Sequence, residues 1–444
     1  MAKFVVFGLG MVGSSFLRIV HKNSLFDADD WYAIDKDPQA FNNFEAVGGK
    51  KSHFILADIQ QKQYEPVFSI LEKGDYLLDF SSSQTNTDFL EICINRDIHY
   101  LSTSSLPYEP EGVIIHEYHD FCVYKEMKKI NKPNGPTSII EFGMNPGMVS
   151  SFMKQGIREI IKNDNTPFVA ENREKLQDLI SHNKFAEAAQ MLEVEIVHIS
   201  DIDTTETNFE PKKNCVYSTW NVEAFSDETL ANCEISLGSD IKFSTFGNEI
   251  KDCSESDNHL ILDKIPVSCV DQSFSPWGSF DGYIVPHEEI YSIGDFLTVR
   301  KNDKIVYKPS VYFVYMPSKI AVNSLLDGHQ KGFKGFEEYL IRPEDIAQGG
   351  ESVGIVLEGK NFETRYFGNK LVAPIANETP TILQVSASAY AAFCYMLENP
   401  NEGFLFPEEV DDNKIIEYAK PILKEYESFT CPKLKRTFFK QKFA

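Results

Sequence analysis

The chain has 444 residues, more than one hydrophobic core usually serves, so its length predicts two domains. Hydrophobic residues make up 42% of it and aromatic residues 13%, which excludes a disordered chain. The 66 acidic and 43 basic residues give a formal charge of −23, which disfavours nucleic acid and anionic lipid as partners and would attract a polycation. An acidity that only keeps the protein soluble is the alternative interpretation.

Two further features concern the compartment and metal chemistry. No apolar run approaches the roughly 20 residues of a membrane helix, so we expect a soluble cytoplasmic protein without membrane partners. The eight cysteines include no C-x-x-C pair, which suggests neither a zinc site nor a redox dithiol, and we expect no metal.

The first residues carry a pattern typical of dinucleotide-binding domains. A short apolar, β-prone run is followed by Gly8, Gly10 and Gly13. In such a motif the three glycines permit a tight turn, the approach of a pyrophosphate and close packing of the next helix. That helix is predicted to begin at Met11 and Val12, with its N-terminus facing the phosphates.

Asp35 ends the next apolar run, 22 residues after Gly13, which suits the acid that binds the adenosine ribose in Rossmann units. Its carboxylate would accept hydrogen bonds from both ribose hydroxyls and would repel a 2′-phosphate, which favours NAD over NADP. The adjacent Lys36 favours NADP instead, because its ammonium could bind the 2′-phosphate. The alternative for Asp35 is a solvent-exposed strand end without a role in cofactor binding.

A strand and helix rhythm continues through residue 146. Further strands are predicted at residues 54–56, 76–80, 98–101 and 138–142. Ser81 and Ser82 follow the second of these, where open parallel sheets bind ligands, so they are predicted to contact the cofactor; a loop with a helix cap is an equal alternative. The pattern predicts an α/β fold with a Rossmann-type, doubly wound parallel sheet.

The remainder is predicted to be an α+β domain. Residues 160–192 have helical spacing, β-prone stretches through Tyr315 predict an antiparallel sheet, and residues 238–275 carry no interpretable pattern. Helices are predicted to begin at 321–326 and to span 381–397. We therefore expect a Rossmann domain at 1–146, a substrate-binding and dimerisation domain at 147–374, and a segment at 375–444 that returns to the first domain.

Five further blocks stand in order along the chain: Gly-Met-Asn-Pro-Gly-Met-Val-Ser-Ser-Phe (143–152), Ser-Thr-Trp-Asn-Val-Glu-Ala-Phe (218–225), Gly-Tyr-Ile-Val-Pro-His-Glu-Glu (282–289), Ser-Ile-Gly-Asp-Phe-Leu-Thr-Val-Arg (292–300) and Leu-Gln-Val-Ser (383–386). Together they resemble the homospermidine synthases, an NAD-using branch of the saccharopine-dehydrogenase-like proteins. The resemblance implies a homodimer that oxidises one putrescine to an imine, lets a second amine displace ammonia, and reduces the new imine to homospermidine with the same NADH.

The resemblance also implies roles for single residues. Trp220 matches a tryptophan that holds the cationic intermediate by cation–π attraction, although a core anchor is the better interpretation without the family. Asn145 and Pro146 lie in the Asn-Pro-Gly turn, where the amide would bond the substrate amine and the proline would contact the cofactor. A turn-forming asparagine is the alternative.

His287 and Glu289 match a His-x-Glu element and are predicted to bind ammonium or handle protons. Asp201 stands where the family has a glutamate that contacts the diamine, so the acid is retained with one methylene less. His287 or Glu289 alone would more often be an ordinary residue on the surface of a strand.

Two acidic positions of the family are missing. Leu106 replaces the acid of a Glu-Pro-Trp element, and Ser83 replaces an acid after the third strand. Losing a carboxylate that pairs with a buried ammonium typically costs ~3 to 5 kcal/mol, so the preferred diamine could differ. Glu109 or Glu111 would substitute in space, or the substrate carries different charges.

Three functions therefore remain open. The first is a homospermidine synthase that recycles NAD. The second is a dehydrogenase of the saccharopine or carboxynorspermidine type, which would need an arginine for a carboxylate, and Arg300 is the one arginine of the matched blocks. The third is an NAD-binding protein that has lost catalysis.

Overall fold

The computed structural model describes residues 2–59, 62–81, 86–105, 124–130 and 132–434. These residues divide into two compact units: the first takes the described residues up to 148 with Ile382–Lys424, and the second takes 149–381 and 425–434. The expected segment 375–444 is thus divided, because residues 425–434 join the second unit. Among the described helices, none has the length and apolar character that a membrane crossing requires.

The first unit contains a seven-stranded parallel sheet in the order β22-β6-β5-β4-β1-β2-β3. Its strands are β1 (Phe4–Phe7), β2 (Trp31–Asp35), β3 (Phe54–Leu56), β4 (Tyr76–Asp79), β5 (His99–Ser102), β6 (Ser138–Ile139) and β22 (Phe404–Leu405). Its helices are α1 (Met11–Lys22), α2 (Phe41–Ala46), α3 (Glu65–Phe68), α4 (Asn86–Asn95), most of α11 (Pro380–Glu398) and α12 (Asp412–Leu423). The strand order reverses at β1, which is where such sheets bind ligands.

Burial explains why these strands are short apolar runs without alternation. Every residue of β4 and β5 is buried, as expected for strands covered by helices on both faces. Aromatic rings fill the core: Phe4 stacks on Trp31 with centroids 4.9 Å apart, and Phe16 of α1 lies 4.7 Å from Phe80. Helix α1 is therefore fixed against the sheet just behind the glycine motif.

The second unit is built on a ten-stranded sheet with the main order β11-β12-β10-β17-β7-β20-β21-β23, in which β14 pairs with β13 and β17. These strands are β7 (Val194–Asp203), β10 (Glu234–Ser236), β11 (Ile250–Ser254), β12 (His259–Leu262), β13 (Val270–Ser275), β14 (Gly278–Val285), β17 (Ser310–Met316), β20 (Gly350–Gly359), β21 (Arg365–Val372) and β23 (Tyr426–Thr430). Separate pairs join β8 (Glu206–Thr207) to β19 (Ile346–Gln348), β9 (Cys215–Ser218) to β18 (Glu337–Leu340), and β15 (Val299–Lys301) to β16 (Lys304–Tyr307).

The helices of the second unit are α5 (Met148–Asn163, its first residue in the first unit), α6 (Pro167–Ser181), α7 (Phe185–Leu192), α8 (Val222–Leu230), α9 (Glu289–Phe296) and α10 (Lys319–Lys331). The expectation of an antiparallel sheet is wrong at its centre, because β7 and β17 run parallel. The stretch 238–275, which gave no sequence pattern, forms β11, β12 and β13. The predicted fold class, a Rossmann-type sheet with a second α+β domain, is confirmed.

Candidate active site

The glycine motif forms a turn that is tightly packed on one side and open on the other. Gly8 has a φ of +88°, and a Cβ there would lie 2.7 Å from the Ser81 nitrogen. A Cβ on Gly13 would lie 2.0 Å from the Gly8 oxygen, whereas a Cβ on Gly10 would meet no atom of the described residues within 4 Å. The N–H groups of Met11 and Val12 begin α1 and have no acceptors within the helix. This cradle fits a dinucleotide pyrophosphate.

Asp35 is fixed beside that turn at the end of β2. The Leu9 N–H donates to its Oδ2 at 2.6 Å, and the Asp37 N–H donates to its Oδ1 at 2.8 Å. The carboxylate is half-buried, while Lys36 is exposed. The remaining acceptor capacity of the carboxylate suits ribose hydroxyls and not a phosphate.

Asp79, which the sequence reasoning missed, anchors the loop after β4. The N–H and hydroxyl of Ser81 donate to its Oδ1 at 3.0 and 2.7 Å, and Asn86 and Tyr100 donate to its Oδ2 at 2.9 Å each. Burial raises the pKa of Asp79 to about 6 despite these hydrogen bonds. The available signal was an acid at the end of an apolar strand. Ser82, Ser83, Leu106, Glu109 and Glu111 lie outside the described residues.

The Asn145-Pro146 turn follows β6 at the same edge of the sheet. The Gly143 N–H donates to the Pro146 oxygen at 2.8 Å, and a Cβ on Gly143 would lie 3.9 Å from the Thr103 Cβ, just past β5. The peptide bond between Asn145 and Pro146 is cis. The first unit therefore gathers the glycine turn, Ser81 and Asn145 at the carboxyl ends of neighbouring parallel strands, as predicted for a cofactor site.

Carboxylates lie together on one face of the second sheet. Strand β7 runs between β17 and β20, with Asp201 opposite Tyr315 and Asp203 opposite Glu351. Since directly opposed residues, and residues two apart, share a face, these four side chains point to the same side. All of them are buried. Of the four, only Asp201 was predicted from the sequence.

The pKa shifts show that burial dominates in this group. Burial raises the pKa of Glu351 well above its usual value, and the charges of Asp201 and Asp203 raise it further. Burial also raises the pKa of Asp203, although Thr205 and Thr219 donate hydrogen bonds to it at 2.7 and 3.0 Å. Neither Asp203 nor Glu351 forms an ion pair with a lysine or arginine in the described part of the chain. A cation would compensate these charges.

Trp220 is held next to this acidic face. Its neighbour Thr219 donates a hydroxyl hydrogen bond to Asp203 at 3.0 Å, and Asn221 on its other side caps α8 by accepting from the Ala224 N–H at 3.0 Å. On α8, the Phe225 ring meets the Tyr315 ring edge-on at 6.5 Å. Trp220 is half-buried, and along the chain it stands between Thr219, which is bonded to Asp203, and helix α8, whose Phe225 contacts Tyr315.

His287 lies between two glutamates where β14 passes into α9. Its Nδ1 contacts Glu289 Oε2 and is 3.2 Å from Glu288 Oε2. Burial lowers the pKa of His287, but the charges of Glu289 and Glu288 outweigh it, so the pKa lies well above its usual value. We therefore expect an imidazolium at neutral pH.

Glu228 of α8 connects this cluster with the acidic face. Its side chain is half-buried, with Oε1 fully buried, and burial raises its pKa to about 8 with further contributions from Glu288 and Glu289. The charge of Glu228 also raises the pKa of Tyr315, which burial and Asp201 already increase. The structure thus brings Asp201, Trp220, His287 and Glu289 into one region of the second unit.

Comparison with known proteins bears first on the glycine-motif unit. Residues 4–137 match the family described as the saccharopine dehydrogenase NADP binding domain. The first unit is accordingly similar to the nicotinamide-dinucleotide-binding domains of the saccharopine dehydrogenases, which confirms the predicted cofactor class.

Two similar proteins match nearly the whole chain and not only its first part. Over 441 residues the chain is 26% identical to a homospermidine synthase of Blastochloris viridis, covering 94% of this chain and 89% of the relative. It is 25% identical to a homospermidine synthase of Mesorhizobium japonicum, covering 94% of this chain and 88% of the relative. The chain is thus similar to homospermidine synthases over nearly its whole length, which confirms the resemblance predicted from the sequence.

Solved structures share the fold. The homospermidine synthase of Legionella pneumophila, solved in complex with NAD, matches with a TM-score of 0.83 at 24% identity, covering 97% of this chain and 91% of that one. Apo saccharopine dehydrogenase (L-Glu forming) from Saccharomyces cerevisiae matches with a TM-score of 0.55 at 10% identity, covering 97% of this chain and 100% of that one.

Proposed function

We propose that the protein is an NAD-dependent homospermidine synthase-like enzyme that joins two diamines, putrescine being the first candidate, and releases ammonia. The observation that carries this proposal is the set of buried carboxylates Asp201, Asp203 and Glu351 beside Trp220. The relatives from Blastochloris viridis and Mesorhizobium japonicum are both homospermidine synthases.

The carboxylates suit a substrate with two ammonium groups. Asp203 and Glu351 are buried without a lysine or arginine partner among the described residues and are therefore unfavourable as ions, and burial raises the pKa of Glu351. An ammonium group that enters the site compensates that charge, so substrate binding would offset the electrostatic cost of burying the carboxylates. Trp220 would add a cation–π contact of ~2 kcal/mol once water is excluded.

The first unit would hold NAD through its glycine turn, with Gly8, Gly10, Met11, Val12 and Gly13 at the pyrophosphate, as their geometry allows. Asp35 would bind the ribose and select NAD over the NADP of the family description. Ser81, Ser82, Asn145 and Pro146 would line the rest of the cofactor. Bound NAD would supply hydride transfer from and to the amine-bearing carbon.

The chain's own contribution to the chemistry is proton handling. A substrate amine must lose a proton before its carbon can lose a hydride, so a base that titrates near neutral pH is needed. Glu228, with its pKa raised to about 8, suits this role. His287 and Glu289 would hold a second ammonium group or return the proton.

The dehydrogenase alternative receives no support from Arg300. Its guanidinium lies 3.7 Å from Asp257 and 3.9 Å from Asp295, so neighbouring acids already neutralise it. A substrate carboxylate bound there would have to displace them.

The test is incubation of the purified protein with putrescine and a catalytic amount of NAD, far less than the amount of putrescine. The products are then separated by chromatography. We expect homospermidine and ammonia in equal amounts without accumulated NADH. Accumulated NADH would indicate a net dehydrogenase, and NAD binding without product would indicate lost catalysis. We further propose that the second unit forms a homodimer, which sedimentation velocity tests.

A further inference from the structure

A cavity of about 430 Å³ in the second unit is lined by helix α10, strands β8 and β9, and the loop that joins the two strands. Its volume is within the range of small-molecule sites. Three lysines line it, namely Lys212, Lys213 and Lys319. We propose that this cavity binds an organic phosphate, that is, a phosphate group carried on an apolar body.

The charges at the cavity favour an anion. None of the three lysine ammonium groups makes a hydrogen bond or an ion pair with another residue in the part of the chain that the structure describes. Two acids that also line the cavity already have partners: Glu206 accepts from Gln348 Nε2 at 2.6 Å, and Asp327 Oδ2 lies 2.7 Å from Lys331 Nζ. In a chain of formal charge −23, the three lysines form a local region of opposite sign, which attracts an anion and repels a diamine.

Helix α10 adds partial positive charge at the same cavity. Lys319 and Ile320, in its first turn, both line the cavity. Their N–H groups have no acceptor within the helix, and the N-cap residue Ser318 offers them no side-chain hydrogen bond. Free N–H groups at the start of a helix, together with the helix dipole, favour a bound phosphate.

The apolar part of the wall favours an organic ligand over a bare ion. Cys215 and Tyr217 line the cavity and form a buried cluster with Ile341, against which Ile320 packs. A ring or alkyl group on the ligand would bury apolar surface there, which inorganic phosphate cannot do.

The type of basic residue distinguishes phosphate from carboxylate. Carboxylates are commonly bound by the two-pronged guanidinium of arginine, and no arginine is among the described residues that line the cavity. Lysine binds phosphate as a point charge from several directions. The cavity therefore suits a phosphate group better than a carboxylate.

The experiment titrates the full-length protein with phenyl phosphate in a calorimeter, with saturating NAD present to occupy the glycine turn. We expect phenyl phosphate to bind about 10-fold more tightly than inorganic phosphate, because its ring buries apolar surface. Lys319→Gln should weaken phenyl phosphate binding by about 10-fold, and replacement of all three lysines by glutamine should weaken it by about 100-fold or more. Lys175→Gln is the matched control, because it removes the same charge from an exposed position on α6, outside the cavity.

Absence of phenyl phosphate binding would overturn the proposal. So would equal affinity in the unaltered protein and in both lysine variants, provided that circular dichroism shows all of them folded. A loss in Lys175→Gln as large as that in Lys319→Gln would assign the attraction to overall charge and not to the cavity. Inorganic phosphate that binds as tightly as phenyl phosphate would overturn the organic ligand. Because no turnover is measured, absence of homospermidine production would count against the proposed function and not against this site.

Discussion

The two units assemble their sites in different ways. In the first unit the cofactor cradle is formed chiefly by residues between Gly8 and Asp35. In this short stretch the glycines permit the turn and its close packing, and Asp35 is fixed by the Leu9 N–H. In the second, Asp201, Glu228, His287 and Glu351 come from four distant parts of the chain and share only a sheet face or the helix that covers it. The cofactor cradle therefore depends on backbone geometry, and the proposed substrate site depends on buried carboxylates, of which Asp203 and Glu351 have no lysine or arginine partner among the described residues.

The largest effect should follow loss of a charge from the substrate site. Asp201→Asn replaces a buried carboxylate with an amide of nearly the same shape, which should lower kcat/KM for putrescine by about 10²- to 10⁴-fold, equivalent to about 3 to 5 kcal/mol. Steady-state kinetics measures this. Asp281→Asn is the matched control, because it removes the same charge from an exposed position on β14.

If Asp281→Asn lowered kcat/KM as much as Asp201→Asn, the net charge of the protein and not the buried cluster would attract the diamine. The distinction between local and overall charge would then be lost.

The glycine turn should respond to shape instead of charge. Gly13→Ala places a Cβ 2.0 Å from the Gly8 oxygen, so we expect destabilisation of about 1 to 3 kcal/mol or more. In Gly10→Ala the new Cβ meets no atom of the described residues within 4 Å, so this variant should keep its thermal midpoint while binding NAD more weakly. Calorimetry measures both quantities. Full NAD affinity in a folded Gly10→Ala variant would place the pyrophosphate elsewhere.

Trp220 should contribute less than the carboxylates. Trp220→Ala should raise KM for putrescine by ~2 kcal/mol, roughly 30-fold, while Trp220→Phe should lose only part of this. Trp277 is a suitable control, because it is 40% exposed and lies 5.9 Å from the Lys370 ammonium. An unchanged KM in Trp220→Ala would assign Trp220 to packing.

The smallest effect concerns pH. The pKa of Glu228 is about 8 in the folded protein, above its ordinary value, so it is mostly protonated below pH 8 and becomes a partner for ammonium above it. KM for putrescine should therefore fall as pH rises through about 8, and Glu228→Gln should abolish this dependence.

The stability effect has the opposite sign. The unfolded chain loses the Glu228 proton at a lower pH than the folded one, so ionisation favours unfolding as pH rises toward 8. Glu228→Gln should accordingly be the more stable protein at high pH, by a margin that shrinks as pH falls. A stability difference between Glu228→Gln and the unaltered protein that stays constant across that pH range would contradict the raised pKa of Glu228.

These contrasts also explain what the sequence could predict. The glycine spacing and Asp35 are local, and strands β3 and β4 began at the predicted residues because buried apolar runs mark them. Asp203 had a usable signal, since it stands two residues after Asp201 on one strand. Glu351 had none, because its approach to Asp203 depends on the pairing of β7 with β20.

Two features of the second sheet were missed for related reasons. The parallel pairing of β7 with β17 is a property of topology and leaves no mark in either strand. Strand β11 is short and partly exposed, so it lacks the burial pattern that reveals a strand.

The central claim is that this chain joins two diamines with NAD recycled inside one turnover. The most direct measurement supplies putrescine deuterated at both amine-bearing carbons, with catalytic NAD and an excess of unlabelled NADH, and determines the mass of the product. We expect homospermidine with its full deuterium content, because the deuteride removed from the substrate returns to the product. Product that has lost one deuterium would show exchange with external NADH, and absence of homospermidine from protein that binds NAD and putrescine would contradict the claim.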